Sequence, residues 1–245
     1  MKKTILKTFS KRSSMSGALN WGCIVITIIS PHCDRSWSFN ISHQGDYVVL
    51  AADRGVQVGV DLMKVSMPGS SSVPEFFRIM TRQFTPHEWS VIQSAGSERE
   101  QLATFHRHWT LKESFIKAIG TGLGFNLQRV EFHLSPEPLR PGSVLRQTKM
   151  LLDEEPEEAW IFEESMLDAD HHVAIAMGPP DEARSASLAS WLAPPPPPPS
   201  PFTLLSFSEL IASASPLTEE DPAYWESFRM KAEAPQRRRE AQASA

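Results

Sequence analysis

Residues 108–124 read HWTLKESFIKAIGTGLG. Trp109, Glu113 and Lys117 recur at four-residue steps, which places them on one side of a helix. A carboxylate and an ammonium then stand within reach of one ligand, beside an aromatic side chain. Leu111, Phe115, Ala118 and Ile119 make the opposite, apolar face. The glycines at 120, 122 and 124 end the helix, and its start is predicted near Ser97. Upstream, Gly59-Val60-Asp61 reads as a β-strand ending in a carboxylate. Two carboxylates and a lysine on rigid elements suit a metal-assisted phosphate site.

Working outward, Tyr47–Ala52 and Val56–Leu62 are β-branched-rich runs split by Asp53-Arg54-Gly55, and together they predict a hairpin. Asn40-Ile41-Ser42-His43 precedes it, with the character of a turn. Val73–Thr81 is predicted helical, with Phe76, Phe77 and Met80 on one face. Thr85-Pro86-His87-Glu88 is a helix start: Thr85 caps, Pro86 suits the first turn, and Glu88 closes a capping box. Arg129–Leu134, Val144–Leu152, Trp160–Glu164 and His172–Met177 predict four more strands in an antiparallel meander. A hairpin, then helices, then a meander gives an α+β fold rather than a doubly wound one.

The chain has 245 residues, 41% hydrophobic and 22% charged, ordinary for a soluble globular protein. Its net charge of −5 argues against nucleic acid as the main partner. Basic residues cluster at Lys2, Lys3, Lys7, Lys11 and Arg12, and again at Arg237–Arg239, as expected of solvated tails. Two cysteines, Cys23 and Cys33, make neither a disulfide framework nor a zinc spacing, which fits a reducing, cytoplasmic setting. The apolar run Trp21–Ile29 is shorter than the roughly 20 residues of a spanning helix, so no membrane partner is expected. It follows basic residues as a signal peptide would. The polar spacer Ser10–Asn20 and the poor cleavage site at Ile29-Ser30-Pro31-His32 argue against that reading. After Gly178, the prolines at 179, 180 and 194–199 mark a polyproline-type linker. Tyr224, Trp225 and Phe228 are too apolar for a pure tail, so docking is expected there.

Taken singly, these polar residues have ordinary explanations. Glu113 and Lys117 could be a surface i,i+4 ion pair worth a few tenths of a kcal/mol. Asp61 could simply sit in a turn. Their order along the chain is more specific. An Asn-Ile-Ser-His segment precedes Gly-Val-Asp, and Trp-Thr-Leu-Lys-Glu-Ser-Phe-Ile-Lys follows. The chain resembles the 4'-phosphopantetheinyl transferase superfamily, in its monomeric, two-lobed branch. That family carries a Gly-[Ile/Val]-Asp strand end and a [Phe/Trp]-x-x-Lys-Glu-[Ala/Ser]-x-x-Lys helix. The resemblance covers about residues 38–177.

The resemblance implies transfer of the 4'-phosphopantetheine arm of coenzyme A to a carrier-protein serine, with release of 3',5'-ADP. It implies Mg²⁺ held by Asp61 and Glu113. Glu113 would take the serine proton, and Lys117 would bind or protonate the leaving phosphate. Asn40, Ser42 and His43 match contacts to coenzyme A, and Lys112 would assist electrostatically. Many bacterial relatives carry a second acid where Met63 stands, so Gln44, by its carbonyl oxygen, is the expected third metal ligand. The implied partners are acyl carrier domains of the fatty-acid synthase and aminoadipate-semialdehyde dehydrogenase types.

Residues 1–37 do not resemble the family's first lobe. The expected organisation is an atypical N-terminal segment (1–37), the transferase domain (38–177), a Pro-rich linker (178–201), a docking extension (202–230) and a disordered tail (231–245). The fold would be one complete lobe with a remnant of its pseudo-symmetric partner. A family monomer is implied, and an uncovered lobe surface would favour self-association. The rival expectation is a catalytically weak carrier-binding module, with Phe76, Phe77 and Met80 on its docking surface.

Overall fold

A computed structural model describes residues 3–8, 37–67, 72–179, 202–212, 219 and 221–230. The run Trp21–Ile29, the proline run 194–199 and the tail 231–245 lie outside them. The chain forms two compact units, one of Met1–Ser14 with Pro31–Leu210, the other of Met15–Ser30 with Ile211–Ala245.

Within the first unit the α+β class holds, but the strand pairing differs from the sequence expectation. The hairpin is β2 (Trp37–Gln44) with β3 (Tyr47–Arg54), so Asn40–His43 lies inside a strand rather than a turn. The next strand, β4 (Gln57–Lys64), leaves that sheet. It pairs antiparallel with β9 (His171–Gly178), which also pairs with β8 (Ile161–Met166). The expected meander is likewise divided. A separate sheet joins β5 (Val130–His133), β6 (Lys149–Leu152) and β7 (Glu155–Pro156).

The basic N-terminal segment is not wholly a tail. Lys3–Thr8 forms β1, parallel to β3, and β10 (Thr203–Leu205) pairs on its other side. The sheet order is therefore β10-β1-β3-β2. A short helix α4 (Phe207–Ile211) follows β10. The second unit contributes α5 (Pro222–Arg229), whose first turn is capped by Asp221 through the Tyr224 N–H at 2.9 Å.

The helices begin close to where the sequence expects them, and α2 opens on its expected cap. α1 is Val73–Ile79. α2 (Pro86–Gln93) and α3 (Glu98–Ile119) each open on a complete capping box, Thr85 with Glu88 and Ser97 with Glu100. Gly120 ends α3 in the left-handed region at φ 69°, where a side chain would be strained.

β3 and β4 turn Tyr47, Val49, Ala51, Val58, Val60 and Leu62 toward each other over Val173, Ile175 and Met177 of β9. A second cluster joins Leu111, Phe115 and Ile116 of α3 to Val130, Phe132, Met150 and Phe162. A third packs Phe77, Phe84, Ile92, Leu102 and Phe105, with Phe76, Met80 and Trp109 partly buried against them. Of the expected docking trio, Phe77 is thus core, and Phe76 and Met80 pack partly buried against it. Each such large apolar side chain, fully buried, contributes about 1.5–3 kcal/mol.

Candidate active site

Strand alternation puts Gly59 and Asp61 on the face of β4 turned to α3, while Val58, Val60 and Leu62 face the core. The glycine has a steric reason. A Cβ at Gly59 would lie 1.9 Å from the Ser114 carbonyl oxygen and 2.5 Å from the Ala118 nitrogen. Its absence lets the backbone of α3 rest on the strand, and two residues later Asp61 meets the helix side chains.

That meeting is close. Lys117 Nζ donates to Asp61 Oδ1 at 2.6 Å, to Ser42 Oγ at 3.1 Å and to the Val60 carbonyl at 3.2 Å. Ser42 Oγ donates to the same Asp61 oxygen at 2.9 Å. The other oxygen, Asp61 Oδ2, is buried and has no hydrogen-bond partner among the described residues. Burial pushes the Asp61 carboxyl up, against the pull of Lys117, Ser42 and the Leu62 amide. Glu113 is half-buried one turn before Lys117. Its carboxyl is raised by burial and then by the charge of Asp61, with Lys117 opposing.

Two carboxylates therefore share one small region, and one buried oxygen is unsatisfied. An oxygen donor set of this kind suits a hard divalent cation such as Mg²⁺, whose charge relieves both the repulsion and the desolvation. The residues fit that ion. Lys117 is 29% exposed at its side chain, so its charge faces solvent although its three N–H groups are engaged; an anionic ligand would have to displace one of those contacts.

β2 reaches β4 through side chains. The Val58 N–H donates to Ser38 Oγ at 3.1 Å and the Val60 N–H to Asn40 Oδ1 at 3.3 Å. The Lys64 N–H donates to Gln44 Oε1. Polar residues at every second position thus close the edge that β4 leaves unpaired. Ser42 is the member of this row that is turned to Asp61.

The arrangement brings together Ser42, Asp61, Glu113 and Lys117. Asn40 lies beside them as a strand tie. Gln44 spends its side-chain oxygen on Lys64, so a metal contact from Gln44 would have to use its main-chain carbonyl. His43 points to the opposite, exposed face of β2. Lys112 is a correction: its side chain is 0% exposed and pairs with Glu88 Oε2 at 2.7 Å. It also donates to the carbonyls of Leu127 and Val130, both at 2.8 Å. Burial lowers the Lys112 pKa and raises that of Glu88. No donor remains for coenzyme A. Trp109 is also corrected, since it stacks on Phe105 at 6.1 Å instead of lining a ligand cleft.

Residues 57–176 match the sequence model of the 4'-phosphopantetheinyl transferase superfamily. The chain is 54% identical to the L-aminoadipate-semialdehyde dehydrogenase-phosphopantetheinyl transferase of Xenopus laevis over 203 residues, covering 83% of this chain and 66% of that protein. It is 52% identical to the Homo sapiens protein of the same name over 204 residues, covering 82% and 64%. A phosphopantetheinyl transferase of Thraustochytrium is 40% identical over 147 residues, covering 58% and 49%. The chain thus spans a little under two thirds of the length of these vertebrate relatives.

Proposed function

Because the chain belongs to the 4'-phosphopantetheinyl transferase superfamily, we propose that it transfers the 4'-phosphopantetheine arm of coenzyme A to the serine of a carrier domain. The observation that carries the reading is the cluster at the β4–α3 contact, where Asp61 has one oxygen tied to Ser42 and Lys117 and the other without a hydrogen-bond partner among the described residues.

The serine oxygen attacks the β-phosphorus of the pyrophosphate. The bond from that phosphorus to the bridging oxygen breaks, and 3',5'-ADP departs. Glu113 receives the serine proton, directly or through water. Burial and the charge of Asp61 raise its carboxyl, which makes it a stronger proton acceptor than a solvated glutamate. Lys117 faces the developing charge on the phosphate oxygens and hands a proton to the leaving phosphate. Ser42 orients Lys117 and Asp61, and its single hydroxyl proton would have to turn from Asp61 to reach a coenzyme A phosphate. Asp61 and Glu113 would hold Mg²⁺, with the main-chain carbonyl of Gln44 as a third oxygen. When bound, the ion supplies charge neutralisation across the pyrophosphate.

The carriers are acyl carrier domains of the fatty-acid synthase and aminoadipate-semialdehyde dehydrogenase types, and the setting is cytoplasmic. No helix among the described residues is long and apolar enough to cross a membrane. The test is transfer of a fluorescent pantetheine arm from labelled coenzyme A to an apo carrier protein. Transfer that needs Mg²⁺ and disappears in Glu113→Ala supports the reading. Labelling that survives in Glu113→Ala overturns it.

A further inference from the structure

A second set of ligand-bearing side chains lies where α2 meets β5. His87 stands in the first turn of α2. Glu131 and His133 are two residues apart on β5 and so share a face. One potential ligand atom from each of the three lies within 4.8 Å of the others. The two imidazoles stack with centroids 4.3 Å apart, and His133 Nε2 is 2.9 Å from Glu131 Oε1.

The carboxylate is held from behind. Thr85, the cap of α2, donates from Oγ1 to Glu131 Oε2 at 2.6 Å. The same hydroxyl accepts the Glu88 N–H, and Glu88 Oε1 accepts the Phe132 N–H at 3.0 Å. The cap of the helix and the strand are therefore fixed to each other on both sides of the three residues. Outer hydrogen bonds of this kind orient metal ligands in known sites. None of the three belongs to the Asp61 cluster.

We propose that His87, Glu131 and His133 bind a borderline divalent transition ion of the Zn²⁺ class. Two imidazoles and one carboxylate are its usual donors, and the fourth tetrahedral position stays open to water. Mg²⁺ is disfavoured there, because it takes oxygen ligands almost exclusively. The ion would clamp the start of α2 to β5 and so secure Glu88 against Lys112, which adjoins Glu113 in α3.

The test is Zn²⁺ titration of tag-free protein by calorimetry, in excess Mg²⁺ so that the Asp61 region is saturated. Co²⁺ serves as a visible-absorption probe of a nitrogen-containing tetrahedral site. One equivalent of Zn²⁺ should bind and raise the Tm. The affinity should fall at least about 100-fold in His87→Ala and in His133→Ala, since even outer-shell changes cost up to that factor. His87 is exposed and its side chain makes no hydrogen bond among the described residues, so its variant reports on the ligand. Asp61→Asn should keep the Zn²⁺ equivalent. Binding unchanged in both histidine variants, binding lost in Asp61→Asn, or no binding below millimolar Zn²⁺ would each overturn the site.

Discussion

Asp61 divides its carboxylate, with one oxygen paired to Lys117 and the other without a hydrogen-bond partner among the described residues. Asp61→Asn keeps the size and the Ser42 contact but removes the charge. Transfer to an apo carrier should drop at least about 100-fold, as for loss of a preorganised electrostatic group, with the far-ultraviolet circular dichroism unchanged. Lys117→Met should be equally inactive and also less stable, because Asp61 is left buried without its cation. A Lys117→Met protein retaining more than about a tenth of wild-type turnover would remove Lys117 from the reaction. The proximity of Asp61, Glu113 and Lys117 was legible in the sequence because strand alternation and an i,i+4 pair project predictably, although Asp61 lies inside β4 and not at its end. Lys112 was misread because adjacency in sequence is not adjacency on a helix. It lies one position after Leu111 and three before Phe115, both buried, and so turns inward. Trp109 was misread because long helical side chains lean toward the N-terminus, here onto Phe105.

Elements meet through two contacts that carry testable cost. Gly59→Ala drives a Cβ into backbone atoms of α3, which cannot rotate away. Stability should fall by about 3 kcal/mol or more in urea unfolding, and activity with it, because Asp61 moves from Lys117. A Gly59→Ala protein as stable as wild type would mean that α3 does not rest on β4. Glu88 and Lys112 make the other contact. Glu88→Gln leaves an uncompensated buried ammonium and should cost about 3–5 kcal/mol, whereas Glu88→Leu with Lys112→Met should recover much of it. The cap of α2 and the start of α3 near Ser97 were readable because such signals are local. The pairing of β4 was not, because Asp53-Arg54-Gly55 resembles a hairpin turn while the partner strand, β9, arrives far later in the chain. The alternation of Ser38, Asn40, Ser42 and Gln44 was the overlooked signal, since a strand with one polar face can satisfy a neighbour's amides. β1 was hidden for a similar reason, as its partners β3 and β10 are both remote.

At the scale of the folded unit, the packing of α3 against β9 traps neutral histidines. Burial holds His106 down to about 4, and His108 and His172 each to about 3, from an ordinary value of about 6.5. His106 Nδ1, His108 Nε2 and His172 Nδ1 have no hydrogen-bond partner among the described residues. The unfolded chain takes up protons at these groups below about pH 6.5, and the folded chain refuses them. Their contribution is therefore complete above that pH and declines as pH falls, by about 1.4 kcal/mol per unit for each histidine, until the folded groups titrate. Asp61, Glu88 and Glu113 act in the reverse sense. Their raised carboxyls contribute stability below the unfolded value near ~4, and it is lost as pH rises through the folded pKa. Comparison with a variant separates the two. Stability by urea unfolding should fall between pH 7 and pH 5 by about 2 kcal/mol less in His172→Asn than in wild type. The substitution lowers stability at both pH values through lost packing, but only the proton uptake differs between them. An identical pH dependence in the two proteins would show that His172 titrates freely in the folded state and that the α3–β9 interior is open to water.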